Sequence, residues 1–585
     1  MPTLNWMGKE KVVNHHRDVP YRVLERVPEK GVLDSHGSDC GNMVIHGDNL
    51  EALKALLPEY EGKVDCIYID PPYNTGNEGW VYNDNVNDPR IRKWLGQVVG
   101  KEGEDFSRHD KWLCMMYPRL QLLRKLLAPT GAIFISIDDN EESNLKLICD
   151  EIFSPSCFVA RVTWQNNNSP RNDAKGIPYT TDNIFVYGKQ PGWQPSRLPR
   201  TEEMDDRYSS PDSDPIPWTS SPAHAPGAST HTGMVYAIQH PITRELMYPP
   251  SSRHWTYGQD IMLAEMSKWS GYELRVIPDS DKRREICLGA DVPEDLPAIM
   301  LTDESETTSE RAQERFNEGL RGENPWPSLY FTSGGKGGMR VKKHLSEMLG
   351  KAVPTLWPSA EVGTTTEATA EIKKLFDGRS LFDTPKPTRL IERVLQIATD
   401  RGALVLDSFA GSGTTAHAIL NANKADSGNR RFILVELDNY ADTVTAERVR
   451  RVIAGYGEGN NAVEGVDSGF SYYELGPALF RGDGTLSPDV TRADLARYVW
   501  ATETRAPYED LTGEHPYLLG EHAGAVYYLA WEPGEETALT YGLLRGLPRK
   551  GSPTVIYADR CAIAPERLDE MGVVFRRVPD QIARI

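Results

Sequence analysis

Positive charge is what this chain has too little of. Against 84 aspartates and glutamates it carries 65 lysines and arginines, a formal net charge of −19. That balance counts against a protein coated in nucleic acid, because phosphate binding needs local positive potential. It leaves room for a cleft lined by a few cations. Cysteine is also scarce. The seven cysteines (Cys40, Cys66, Cys114, Cys149, Cys157, Cys287, Cys561) are scattered and form no C-x-x-C pair. A zinc site and a disulfide framework are therefore not expected, and a reducing cytoplasm is. The adjacent His15 and His16 have no second cluster at metal-ligand spacing, so they read as surface residues and no metal is expected. Long apolar runs are missing, which predicts no membrane span and no membrane partner. The opening Met1-Pro2-Thr3-Leu4-Asn5-Trp6 lacks the basic-then-apolar layout of a signal peptide.

What is present suits globular cores: 585 residues, 39% of them hydrophobic, enough for about three or four domains. Val64-Asp65-Cys66-Ile67-Tyr68-Ile69 is a short β-branched and aromatic run, which predicts a buried strand. It stops at Asp70-Pro71-Pro72-Tyr73-Asn74-Thr75-Gly76. Two prolines remove two backbone donors and cannot continue a central ladder. Asp70 thus sits at the carboxyl end of a strand, the rim where open α/β sheets bind ligands. A carboxylate, a proline carbonyl and the Tyr73 face together suit a planar base carrying an amino group. A capped strand followed by a turn is the plainer alternative.

Residues 1–40 read as a polar N-terminal arm anchored by Trp6, Tyr21 and Leu24. From 41 the pattern becomes regular. Val44 to His46 is a strand, Gly47-Asp48-Asn49 a turn, and Leu50, Leu53, Leu56 and Leu57 recur at helical spacing before the strand at Val64, a parallel α/β unit. Residues 77–110 read as a long polar loop, either a substrate-contacting lid or a surface loop. A helix over Leu113 to Leu127, a strand over Gly131 to Asp138, a helix over Leu145 to Phe153 and strands over Phe158 to Trp164 and Asn183 to Tyr187 follow. Residues 191–350 lose clean periodicity and read as an inserted domain. Near its end, Thr332-Ser333-Gly334-Gly335-Lys336-Gly337-Gly338-Met339-Arg340-Val341-Lys342-Lys343-His344 gathers four cations among glycines. Phosphate contact and a solvated flexible loop both fit it. Regular pattern returns over 351–460, and 461–585 reads as a small separate α/β module.

Within 351–460, Ala403 to Asp407 is a strand running into Phe409-Ala410-Gly411-Ser412-Gly413 and a helix start, a nucleotide-type site. No lysine follows Gly413, so a phosphate-cradling P-loop fails. A dinucleotide fingerprint stays open, since alanine at 416 is tolerated. S-adenosylmethionine is the remaining candidate. Glu436 closes the next strand, about 20 to 25 residues on, where an acidic side chain usually takes ribose hydroxyls.

Together, Asp70-Pro71-Pro72-Tyr73 and Phe409-Ala410-Gly411-Ser412-Gly413 resemble the amino-methyltransferases of DNA. The catalytic motif precedes the cofactor motif with a large insert between them, as in the β class and especially the modification (Mod) subunits of Type III restriction–modification systems. Asn74-Thr75-Gly76, Phe134-Ile135-Ser136-Ile137-Asp138-Asp139-Asn140-Glu141 and Pro385-Lys386-Pro387 match that family too. The resemblance implies a Rossmann-like, circularly permuted S-adenosylmethionine-dependent methyltransferase sheet. Strands from both ends of the chain share it, although Asp70 and Asp407 lie far apart in sequence, and 191–350 is an inserted target-recognition domain.

It further implies methyl transfer to adenine N6 of double-stranded DNA, with a flipped base stacked on Tyr73 and its amine held by Asp70 and the Pro71 carbonyl, Pro72 stiffening the loop. Asp48, Asp407, Phe409, Ala410, Gly411, Gly413 and Glu436 are the implied cofactor contacts. Lys386 and Pro387 are expected near its methionine end, and Thr414 either joins them or caps the helix. Lys336, Arg340, Lys342 and Lys343 are the expected DNA contacts. Cytosine N4 is the alternative target atom, and a silent DNA-specificity subunit or an NAD-dependent enzyme are the alternative classes. No helicase or nuclease motif is present, so cleavage would need a restriction subunit as partner. A homodimer is also expected.

Overall fold

The computed structural model describes residues 3–74, 104–169, 176–459, 462–506, 508–550 and 553–584. The chain forms two compact units, Met1–Ser196 with Val353–Ile585, and Arg197–Ala352.

Ten strands of the first unit make one sheet. In chain order they are β1 (Arg22–Arg26), β2 (Met43–His46), β3 (Val64–Ile69), β4 (Leu127–Ile137), β5 (Phe158–Gln165), β6 (Thr181–Gly188), β7 (Leu356–Trp357), β8 (Leu404–Asp407), β9 (Arg431–Glu436) and β10 (Ser471–Ala478). In space the order is β1-β10-β2-β9-β8-β3-β4-β6-β5-β7. From β10 to β4 the strands run parallel. β6 is antiparallel to both its neighbours. Six helices of this unit matter below: α1 (Asn49–Tyr60), α2 (Glu104–Leu126), α3 (Glu142–Phe153), α4 (Thr388–Ala398), α5 (Thr414–Asp426) and α6 (Glu447–Ala454).

The composition of β3, β8 and β9 explains their central position. Parallel strands covered on both faces read as continuous apolar runs rather than alternating ones. Every residue of β3 but Asp65 is buried, as are all of β8 and all of β9 except Arg431. β2 and β3, expected as one strand–helix–strand unit, are parallel but not adjacent: β8 and β9 slot between them. The expectation of one α/β sheet drawn from both ends of the chain is borne out.

Four readings differ. The arm over 1–40 contributes β1, which pairs antiparallel with β10. β10 itself comes from the tail, so the tail gives its first strand to the main sheet. A separate four-stranded sheet (Leu518–His522, Ala525–Leu529, Thr554–Ala558, Val573–Arg577) follows it. His16, read as a surface residue, is buried, and its backbone oxygen accepts from Lys54 Nζ at 3.1 Å. Burial, helped by Lys125 and Arg17, lowers its pKa to about 4. The loop expected over 77–110 lies outside the described residues up to 103, and from Glu104 the chain is helical.

In the second unit, strands Trp218–Pro222, Leu329–Phe331 and Met339–His344 form a three-stranded sheet. A core of aromatic residues, including Trp218, Trp269, Trp326 and Phe331, packs against it. Among the described residues no helix is long and apolar enough to cross a membrane.

Candidate active site

β3 and β8 are neighbours in register, with Leu406 opposite Ile67. Three residues beyond that pair, Asp70 and Phe409 leave the sheet side by side at its carboxyl edge. The two motifs are thereby brought together, and a cleft of about 350 Å3 opens between their loops.

One wall is Tyr68, Asp70, Pro71, Pro72 and Tyr73. Asp70 forms an ion pair through Oδ2 with Lys386 Nζ. The same ammonium lies 4.9 Å from the centroid of the Tyr73 ring. Asp70 Oδ1 and the Tyr73 hydroxyl are both buried. Burial, followed by the charge of Asp70, holds the Tyr73 phenol well above its ordinary pKa. The Pro72 carbonyl accepts from Trp112 Nε1 at 2.7 Å, whereas no described residue donates to the Pro71 carbonyl.

The opposite wall is the glycine loop, with Asp407, Phe409, Ala410, Gly411, Ser412 and Thr414, and the end of β9 with Glu436, Asp438 and Tyr440. Gly411 and Gly413 take φ of +52° and +78°, a region that costs other L-residues strain. A Cβ on Gly413 would lie 2.9 Å from the Thr445 backbone oxygen. Glu436 accepts from the backbone N–H of Gly411 at 2.7 Å and of Asp438 at 3.0 Å. Asp407 accepts from Thr415 Oγ1 at 2.6 Å and from the Phe409 N–H at 3.1 Å. Burial pushes both carboxyls up to about 7 despite these donors.

Eleven of the expected catalytic and cofactor residues line this cleft: Asp70, Pro71, Pro72, Tyr73, Lys386, Asp407, Phe409, Ala410, Gly411, Thr414 and Glu436. Three do not. Gly413 and Pro387 sit just behind the lining as the N-caps of α5 and α4. Asp48 caps α1 by accepting from the Leu50 N–H at 2.7 Å. It also pairs with the fully buried Arg119 at 3.3 Å. It serves the glycine loop at one remove, because its neighbour Asn49 donates to the Ser408 carbonyl at 2.8 Å.

Sequence reading missed Phe382 and Tyr440, whose rings meet edge to face at 5.6 Å beside the glycine loop. It also missed Arg448. That side chain is fully buried on α6 and donates to Ser412 Oγ at 3.1 Å, Thr414 Oγ1 at 2.9 Å and Glu371 Oε2 at 2.8 Å. It fixes the underside of the loop. In the sequence it stands beside Arg450 and Arg451 with nothing to set it apart.

In the second unit the expected DNA cations divide. Lys336 and Lys343 are exposed, and Arg340 is half-buried with Nε donating to Ser220 Oγ. Lys342 corrects its reading as a phosphate contact. It is buried and paired with Asp212 at 2.5 Å and Asp214 at 2.7 Å. Burial alone would raise Asp214, but Lys342 and His344 bring it down to about 2. Lys342 is a structural cation whose charge is already matched.

A largely parallel sheet thus sets a carboxylate-and-tyrosine loop against a glycine loop, with a second acidic strand end beyond it. A family model described as DNA methylase, of the N6/N4 type, matches residues 64–447, and the chain belongs to that family. It is similar to the Mod subunit of the Type III restriction–modification enzyme StyLTI of Salmonella typhimurium strain LT2, with 31% identity over 81% of this chain and 66% of that subunit. The EcoPI Mod subunit of Escherichia phage P1 matches at 30% identity over 74% of this chain and 63% of its own length. The chain thus spans slightly under two thirds of these two relatives. A putative DNA modification methylase of Thermus thermophilus, crystallised with S-adenosyl-L-methionine, aligns over 74% of this chain and 99% of its own at 14% identity and a TM-score of 0.30. The resemblance to Type III modification subunits drawn from the motifs is borne out.

Proposed function

We propose that this chain is a site-specific DNA methyltransferase that transfers a methyl group from S-adenosylmethionine to adenine N6 of a flipped base. The observation that carries the reading is the single cleft in which Asp70 and Tyr73 face the glycine loop of Phe409 to Gly413.

The residues present fit the cofactor. Glu436 and Asp438 offer carboxylates to ribose hydroxyls, Phe409 offers an apolar face, and Lys386 offers a cation to the amino-acid carboxylate. When bound, the cofactor supplies an electrophilic methyl group on a sulfonium. The remaining work belongs to the protein. An adenine amine is a weak nucleophile because its lone pair is delocalised into the ring. Asp70 and the Pro71 carbonyl accept its two N–H bonds and hold the lone pair toward the donor. Tyr73 gives the extruded base the stacking surface it loses in the duplex. The Lys386 ammonium stands on Asp70 and near the Tyr73 ring. Lys386 would have to release the carboxylate for a base amine to bind there, and it would then be free to hold the amino-acid carboxylate of the cofactor.

In this reading Lys336, Arg340 and Lys343 contact DNA phosphates, the unit over Arg197–Ala352 reads the flanking sequence, and the chain works as a homodimer with a restriction subunit. Incubation with tritiated S-adenosylmethionine and duplex DNA, followed by nucleoside mass spectrometry, tests the central reading. N6-methyladenine is the expected product. N4-methylcytosine would move the target atom, and no transfer to any duplex would overturn the reading.

A further inference from the structure

The loop after β3 faces a difficulty that its own sequence creates. Pro71 and Pro72 have no N–H, so the backbone there can be held only through carbonyl oxygens or by the residues that flank them. The structure holds it at two points. Trp112, fully buried on α2, donates to the Pro72 carbonyl. Asn74 stands at φ +59° and is 1% exposed. Its Nδ2 donates to Glu141 Oε1.

Glu141 lies between β4 and α3, far from the cleft-lining residues in sequence, and its side chain is completely buried. Its carboxylate collects three donors: Asn74, His109 Nδ1 at 2.6 Å and Asn144 Nδ2 at 2.7 Å. Burial still raises its pKa. His109 and Trp112 are three positions apart on α2, so they share one helix face. One helix therefore grips the loop twice, directly at Pro72 and through Glu141 at Asn74. Between the two grips Tyr73 faces the cleft. Just before them stand Asp70 and the Pro71 carbonyl, the acceptors assigned to the base amine. A buried carboxylate with three donors is costly to desolvate, and no contact with the cleft accounts for its being there.

We infer that Glu141 is a positioning residue for methyl transfer: by holding Asn74 in its left-handed conformation it sets the Pro71 carbonyl and the Tyr73 ring in the geometry that receives the flipped base. The inference rests on the methyltransferase reading above. Glu141 touches neither the base nor the cofactor cleft, so its loss acts on the reacting geometry and not on cofactor affinity.

The test uses the full chain, a duplex carrying the target site, and a second duplex with 2-aminopurine at the target position. Glu141→Ala is expected to lower kcat about 100-fold, the usual consequence of an ångström-scale misplacement. The Kd values for S-adenosylmethionine and DNA should stay within about threefold, and the 2-aminopurine signal of the extruded base should change. Glu141→Gln, which keeps an acceptor for Asn74, should restore at least about tenfold of the loss. In an Asn74→Gly background, where the left-handed backbone costs nothing, Glu141→Ala should lower kcat by no more than about threefold further. Full additivity of the two substitutions, or a Gln variant no better than Ala, would overturn the inference. So would an equal loss of cofactor affinity. If Glu141→Ala does not fold, Glu141→Gln and the cycle of His109→Ala with Asn74→Gly carry the same test. A wild-type chain that binds the cofactor but methylates no duplex would instead remove the methyltransferase reading.

Discussion

Gly413→Ala is the sharpest test of the glycine loop. Gly413 takes φ +78° and ψ 25° at the N-cap of α5. An alanine there carries about 1 to 2 kcal/mol of left-handed strain. Its Cβ would also stand 2.9 Å from the Thr445 carbonyl oxygen, closer than a carbon tolerates. Thr445 cannot step aside freely, because its Oγ1 donates to the Gly411 carbonyl at 2.6 Å. Any retreat drags the cofactor side of the loop with it. Adding a contact cost of about 1 kcal/mol or more for overpacking brings the total to about 2 to 4 kcal/mol, or about 30- to 1000-fold in Kd if the bound geometry must restore the native loop. Gly402 provides the control: its φ lies outside the left-handed range and nothing lies within 4 Å of its Cβ position. Isothermal titration with S-adenosylmethionine should show the loss for Gly413→Ala and none for Gly402→Ala. Unchanged affinity in Gly413→Ala would refute the assignment of this loop to the cofactor.

Asp70→Ala should lower single-turnover methylation by about 100- to 1000-fold or more while cofactor and DNA binding persist, the pattern of an interaction realised in the transition state; a near-normal rate would reduce Asp70 to a strand cap. Glu436, raised to about 7 by burial, should bind ribose hydroxyls more strongly as an anion, so cofactor affinity should climb as pH rises through about 7, and Glu436→Gln should flatten that profile. The same carboxyl keeps a proton in the folded chain that the unfolded chain has already released, so its contribution to stability falls as pH rises from its ordinary value of 4.5 to about 7; equilibrium unfolding at fixed salt reads the slope. Lys342→Met should destabilise the unit over Arg197–Ala352 by about 3 to 5 kcal/mol, because Asp212 and Asp214 lose a buried partner. Lys336, Arg340 and Lys343 changed together to Ala should leave that unit folded and reduce the salt dependence of DNA binding, so an Ala triple variant with an unchanged salt slope would place the phosphate contacts elsewhere.

The central strands and both cleft loops were legible in the sequence because their signals are local. Apolar runs ending in Asp70-Pro71-Pro72 and in Asp407 announce strand ends, and the glycines at 411 and 413 announce a backbone bend that few other residues adopt. The acidic end of β9 follows at the distance a βαβ crossover requires. Residues whose role depends on a distant partner carried no such mark. Arg22 to Arg26 read as part of a polar arm and Ser471 to Ala478 as part of a separate module, and only their pairing with each other makes them strands of the main sheet margin. Lys342 sits in a run of cations, and only the approach of Asp212 and Asp214 from far upstream turns it into a structural ion pair. Arg448 and Arg119 are ordinary charged residues in sequence, and Glu141 stands there only as the end of a family-like motif with no role attached, yet each is completely buried and holds a loop. The chemistry the cleft offers was therefore set by the residues themselves. The order of strands that brings Asp70 beside Phe409, and the buried charges that hold both loops still, were decided only by tertiary structure, because a charge may be buried only where folding supplies its partners.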